Sequence, residues 1–272
     1  MILEKRGFFD GVKTSKVFYR YWEPKNPKGA IVLLHGLGLN SGFYYKHLGE
    51  VLVENDYTVY AMDYRGHGFS QGVRGHLENF EDLLKDVETL MQIVSKKSLH
   101  IYIVGEDLGG LLAIGCAEFN PDKIKGIVAV VPTLVPIFKV PALKLLMGKG
   151  ISKLAPTINI LDNIGPEQFI KKSTAIDEET KRTFVYNFTL NFAIELLEGT
   201  KKVKERLSIL DMPSLFLLSG RDKLMNTQAT IDTIQVVRDK TIKVYEKLSH
   251  FLLLDGYREV STDILAWLDN QF

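Results

Sequence analysis

The chain reads as an α/β protein: a mostly parallel sheet flanked by helices, with one long helical interruption. Three observations predict this. Short apolar runs alternate with longer segments of helical period, the pattern of strands covered by helices. Several of the runs, such as AIVLL and GIVAVV, are continuously apolar, as strands buried on both faces are. One run, Ile103-Val104, breaks into Gly105-Glu106-Asp107-Leu108-Gly109-Gly110, a strand-to-helix turn with glycines on both sides of an acid. With 272 residues, 46% of them hydrophobic and 25% charged, the chain can bury one large core.

The elements follow in order. Val17 to Trp22 is aromatic and β-branched and suits an early antiparallel strand. Ala30 to Leu34 is a buried strand running into His35-Gly36-Leu37-Gly38. Tyr44 to Glu54 has helical spacing, Tyr57 to Met62 returns to strand, and Phe80 to Val94 is amphipathic, with Leu83, Leu84, Val87 and Leu90 on one face. Ile101 to Val104 is the strand that feeds the glycine turn, and Leu108 to Phe119 the helix that leaves it. Ile124 to Val131 is another buried strand. Ser214 to Leu218 and Thr241 to Glu246 are strands, and Thr227 to Val237 and Arg258 to Leu268 are helices. Between Pro132 and Asp211 no clean strand stands out, only helix-like stretches broken by prolines. So long an interruption predicts a helical cap, because structureless connections of that length are uncommon. The expected division is a core of 1–131 and 212–272 with a cap of 132–211. The first part of the cap mixes Leu, Ile, Phe and Met with lysines. It suits a helix packed on the core, a greasy lid over a lipophilic substrate, or both.

A net charge of +1 supplies no field for nucleic acid. The N-terminal residues lack the apolar stretch of a signal peptide, and no run approaches the roughly 20 apolar residues of a membrane span. The single cysteine, Cys116, excludes an internal disulfide and makes a cytoplasmic, reducing location the expectation. Its apolar neighbours predict a buried, inert thiol. No histidine or cysteine cluster has metal-ligand spacing, no phosphate loop occurs, and no cofactor is expected. His47, His76 and His100 show no pattern and are expected at the surface, and the pairs Lys96-Lys97, Lys171-Lys172 and Lys201-Lys202 read as solvated faces.

Ligands of a parallel sheet bind beyond the carboxyl ends of its strands. Three polar residues fall at such ends: Asp107, Asp222 in LLSGRDKL, and His250 in EKLSHFLLLD. Nucleophile position, acid, histidine is the chain order of an α/β-hydrolase triad. A strand that turns sharply into a helix crowds its own backbone, which explains glycine at 105 and 109. Two backbone amides, those of Leu37 and Leu108, are the expected oxyanion hole. Gly36, Leu37 and Glu106 are expected to touch substrate. Alternation along the strand separates Glu106 from Asp107, and the glycine spacing selects Asp107 as the elbow residue. His35 is expected to orient backbone and His67 to brace its loop.

The strings LLHGLGLNS, MDYRGHGFSQG, GEDLGG, LSGRDKL and LSHFLLLD resemble the monoacylglycerol lipase/lysophospholipase group of α/β-hydrolases over nearly the whole chain. The resemblance implies an eight-stranded-type sheet with a helical cap and a small lipophilic ester as substrate. The apolar, lysine-bearing composition of the cap makes it a candidate for transient contact with lipid interfaces. Asp107 departs from the group's G-x-S-x-G-G. A serine there would form an acyl-enzyme. A carboxylate attacking an ester carbonyl would form a high-energy mixed anhydride. With carboxylates on both sides, His250 should hold its proton and be a poor base. The expectation is an ester-hydrolase scaffold with an Asp107-Asp222-His250 triad whose ester hydrolysis is weakened or abolished. Two alternatives are an aspartate-nucleophile hydrolase of the epoxide hydrolase or haloalkane dehalogenase type, and a non-catalytic ligand-binding relative. Against the first, Leu108 stands where those families usually carry tryptophan, and Tyr186 is the evident cap tyrosine.

Overall fold

The computed structural model describes residues 2–44, 48–97, 100–117, 123–137, 142–161 and 176–271. Expectations for His47 and for Lys171-Lys172 lie outside these residues, as do parts of the predicted Tyr44–Glu54 and Leu108–Phe119 helices and much of the cap.

Eight strands form the main sheet: β1 (Lys5–Asp10), β2 (Lys16–Trp22), β3 (Gly29–Leu34), β4 (Tyr57–Met62), β5 (Ile101–Glu106), β6 (Ile124–Val130), β9 (Ser214–Ser219) and β10 (Lys240–Tyr245). Their order is β1-β2-β4-β3-β5-β6-β9-β10. β2 runs antiparallel to both β1 and β4, and the remaining neighbours pair in parallel. The sequence pattern does not predict β1. Its residues, KRGFFD, are mostly exposed on an edge of the sheet, so no apolar run marks them.

Each central strand feeds two cores because successive side chains point to opposite faces. In β3, Ala30, Val32 and Leu34 join one cluster, together with residues of α2 (Phe80–Val94), α3 (Leu108–Cys116) and α6 (Leu190–Glu205). Ile31 and Leu33 join the other, beside residues of α1 (Glu50–Glu54), α8 (Leu252–Asp255) and α9 (Tyr257–Asp269). The predicted stripe Leu83, Leu84, Val87 and Leu90 of α2 is buried. α7 (Thr227–Ile234) lies between β9 and β10 and is capped by the Asn226 side chain, which accepts from the Ala229 amide.

Between β6 and β9 lie α4 (Ala142–Leu154), α5 (Glu178–Arg182) and α6. They are joined by a two-stranded antiparallel ribbon of β7 (Asn159–Leu161) and β8 (Phe188–Thr189). The ribbon corrects the expectation of a strand-free stretch; two or three residues per strand are too few to show a period. α6 packs on α2 and α3, whereas α4, in the first part of this segment, packs on α6 and leaves Met147, Ile151 and Leu154 exposed. Among the described residues, no helix is long and apolar enough to cross a membrane.

Candidate active site

β5 ends at Glu106, and α3 begins at Leu108, so one residue makes the whole turn. Asp107 adopts φ 57° and ψ −115°, a conformation that L-residues avoid and that costs of order 1–3 kcal/mol. The flanking glycines are required by contact. A Cβ at Gly105 would lie 2.2 Å from the Gly109 carbonyl, and one at Gly109 would lie 2.2 Å from the Leu34 carbonyl oxygen. The bend therefore survives only while both positions lack a side chain.

The carboxyl ends of β5, β6, β9 and β10 share one rim, and the separated polar residues meet there. His250 Nδ1 donates to Asp222 Oδ2 at 2.8 Å, and its Nε2 faces Asp107 Oδ1 at 3.6 Å. The second oxygen of Asp222 accepts from the Leu224 and Met225 amides at 2.8 and 2.9 Å, so the acid is fixed by its own loop. Asp107 is held by more than the histidine. Its Oδ2 accepts from the Leu37 amide at 2.9 Å, and its Oδ1 accepts from the Thr133 hydroxyl at 2.6 Å. Leu108 opens α3, so its amide belongs to the first turn, whose donors have no intrahelical acceptor. Gly36 lies against the acid: a Cβ there would come 3.4 Å from Asp107 Oδ2.

Electrostatics follow from this packing. Burial alone would strip the proton from His250, but hydrogen bonding and charge from Asp107 and Asp222 outweigh it and raise its pKa to about 10. Burial likewise pushes Asp107 up, yet His250, Thr133 and Leu37 together bring it below the ordinary carboxylate value. Both shifts favour the charged forms, an imidazolium at His250 facing a carboxylate at Asp107.

Thr133 is not among the residues expected from the sequence. It follows β6 at the same rim, and strand-end position was the available signal. The chain reaches it through Val131, a β-branched residue at φ 41°, which turns β6 so that the Thr133 amide meets the Asp107 carbonyl at 3.2 Å. Glu106 is placed otherwise than expected. It is fully buried and its Oε1 accepts from the Leu253 amide at 2.9 Å, so it is turned away from any substrate. Strand alternation is the physical reason: the neighbour of a residue that points into the rim points out of it.

The surrounding histidines are structural. His35 Nδ1 donates to the Gly36 carbonyl at 2.8 Å and its Nε2 accepts from the Tyr64 amide at 3.2 Å. Burial lowers its pKa to about 3, so it orients the 35–38 loop as a neutral ring. His67, lowered by burial to about 3, meets the Arg65 carbonyl at 3.2 Å and packs near Phe188 and Phe192. The rest of the Asp63–Gly72 string braces itself. Asp63 accepts from the Ser41 and Phe69 amides, each at 2.7 Å, and Arg65 pairs with buried Asp86 of α2. His76 is half-buried rather than at the surface, because the ribbon covers it: its Nδ1 lies 3.0 Å from Thr189 Oγ1. His100 is exposed. Cys116 is buried, and burial pushes its thiol pKa far up. Among the described residues, no group of three or more His, Cys, Asp or Glu could hold a metal ion.

Comparison with known proteins agrees with this architecture. Residues 25–256 match the Hydrolase_4 family, described as serine aminopeptidase, S33. An uncharacterized abhydrolase domain-containing protein of Dictyostelium discoideum is 31% identical over 92% of this chain, which spans 27% of that protein's length. Human monoglyceride lipase is 29% identical over 94% of this chain and 87% of its own. The crystal structure of a monoacylglycerol lipase from Paleococcus ferrophilus superposes with a TM-score of 0.79 over the whole of both chains, at 23% identity, a likeness of fold. The chain belongs to the Hydrolase_4 family and, within the α/β-hydrolases, to the monoglyceride-lipase-like group.

Proposed function

We propose that this protein is a carboxylic-ester hydrolase scaffold for monoacylglycerol-like substrates, built on Asp107, His250 and Asp222, in which the aspartate holds ester hydrolysis to a low level. One observation carries the reading: the Asp107 carboxylate occupies the two places an ester needs. Its Oδ2 takes the Leu37 amide, which would otherwise receive the developing oxyanion, and its Oδ1 faces the His250 nitrogen that would otherwise accept the nucleophile's proton. Gly36, Leu37 and the Leu108 amide are the proposed substrate-facing backbone.

The substrate class rests on the relatives, several of which are named monoglyceride or monoacylglycerol lipases. The exposed Met147, Ile151 and Leu154 of α4, beside Lys149 and Lys153, support transient contact of the cap with a lipid interface. The single, buried Cys116 supports a cytoplasmic, reducing location as part of this proposal.

The same geometry supports a second reading. In an aspartate-nucleophile hydrolase, Oδ1 would displace a leaving group at an sp³ carbon, forming an aspartyl ester whose carbonyl oxygen, Oδ2, already rests on the Leu37 amide. Esterification would remove one carboxylate from His250 and free it to activate water. The Thr133 hydroxyl on Oδ1 weighs against this route by damping the nucleophile.

Hydrolysis of a monoacylglycerol by the chain and by Asp107→Ser tests the proposal. A large gain in the serine form is expected, and no gain in a folded variant overturns it. Single turnover of an epoxide or alkyl halide in heavy-oxygen water tests the second reading, because the label would enter the Asp107 carboxylate. Saturable ligand binding without turnover in either form would instead mark a binding protein.

A further inference from the structure

Glu106 is the buried acid that the triad does not use. It ends β5 with no solvent exposure, and its Oε1 accepts from the amide of Leu253, three residues beyond His250. Its Oε2 is buried without a hydrogen-bond partner, and so is the hydroxyl of Tyr44. The two groups act on each other electrostatically. The Tyr44 hydroxyl also lies against the turn that carries the Leu37 amide: a Cβ at Gly36 would stand 3.2 Å from it. One carboxyl thus adjoins three parts of the site: the elbow strand, the His250 loop and, through Tyr44, the 35–38 loop.

A clamp on one amide needs only a neutral acceptor, and a buried charge is costly unless something nearby uses it. The titratable groups that act on Glu106 are Tyr44, His250 and Asp107. Burial raises its pKa to about 7, while the Leu253 amide, Tyr44 and His250 work the other way. His250 loses its proton only near 10, so Glu106 is an anion wherever the histidine titrates.

We propose that Glu106 is a positioning residue of this site: its carboxylate ties the His250 loop to the elbow strand and, when ionised, helps to hold the proton on His250. The inference rests on the proposed function only in taking His250 as the base of the site, since the coupling itself is a property of the resting chain.

The test follows the His250 imidazole by NMR as the 272-residue chain is titrated. Glu106→Gln keeps an oxygen for the Leu253 amide and removes the charge. It should lower the His250 midpoint by about half a pH unit or more, since a buried charge that acts on the imidazolium is poorly screened there. It should also erase an inflection of the His250 signal near neutral pH. Tyr44→Phe removes a group that favours the Glu106 anion and should move that inflection upward. An unchanged His250 midpoint in folded Glu106→Gln overturns the inference, and so does an unmoved inflection in Tyr44→Phe. A hydrolytically silent Asp107→Ser would count against the ester-hydrolase reading alone.

Discussion

The Asp107→Ser exchange is the sharpest perturbation, because its size can be worked out from the site. In the parent chain, His250 titrates at about 10 against an ordinary value of 6.5. At pH 7, roughly one histidine in a thousand is then neutral and able to act as a base. Serine removes one of the two carboxylates that hold the proton. If the midpoint returns to its ordinary value, most molecules carry a neutral His250, a gain of nearly a thousandfold, or about 4 kcal/mol. The Leu37 amide is released at the same time, and one oxyanion donor is worth about 10²–10³ in rate. The two effects belong to one catalytic unit and do not simply multiply. A gain in kcat/KM of about 10³ or more at pH 7 is the expected outcome, measured with a p-nitrophenyl ester and then a monoacylglycerol. A folded serine variant whose activity stays within about tenfold of the parent from pH 6 to 9 would refute the reasoning, because neither the base nor the hole would then be limiting.

Three other outcomes are expected. In the Asp107→Ser background, Asp222→Asn should cost roughly 10³-fold or more in kcat/KM, because an amide cannot stabilise the imidazolium that His250 becomes on accepting a proton; the same ester assay checks it. Gly109→Ala should lower stability by about 3 kcal/mol, several degrees in Tm, since its methyl would meet the Leu34 carbonyl oxygen at 2.2 Å; thermal unfolding reads this directly. Stability should also fall as pH rises from about 6.5 to 10. The folded His250 binds its proton more tightly than the unfolded one, so its contribution is complete below 6.5 and fades through a folded pKa of about 10. Denaturant midpoints across that range should drop less in Asp107→Ser than in the parent.

Much of the site was legible before any coordinates. Glycines at 105 and 109 announced a bend that excludes side chains, and the apolar runs located three strand ends where Asp107, Asp222 and His250 stand. Both signals are local, since they depend on the space around one residue or on the period of one segment. Strand β1 escaped because an exposed edge strand has no apolar face to display. Thr133 escaped because only the turn at Val131, imposed by the neighbouring strands, swings its hydroxyl onto Asp107.

By itself, then, the sequence determined the α/β class, the elbow and the trio of polar residues, because covalent geometry and side-chain periodicity are written residue by residue. Only tertiary structure decided where the Asp107 carboxylate rests, that the Leu253 amide is the partner of Glu106, and that Thr133 joins the site. These depend on distances between segments far apart in the chain, and a few ångströms of separation in a buried site set both the hydrogen bonds and the charge.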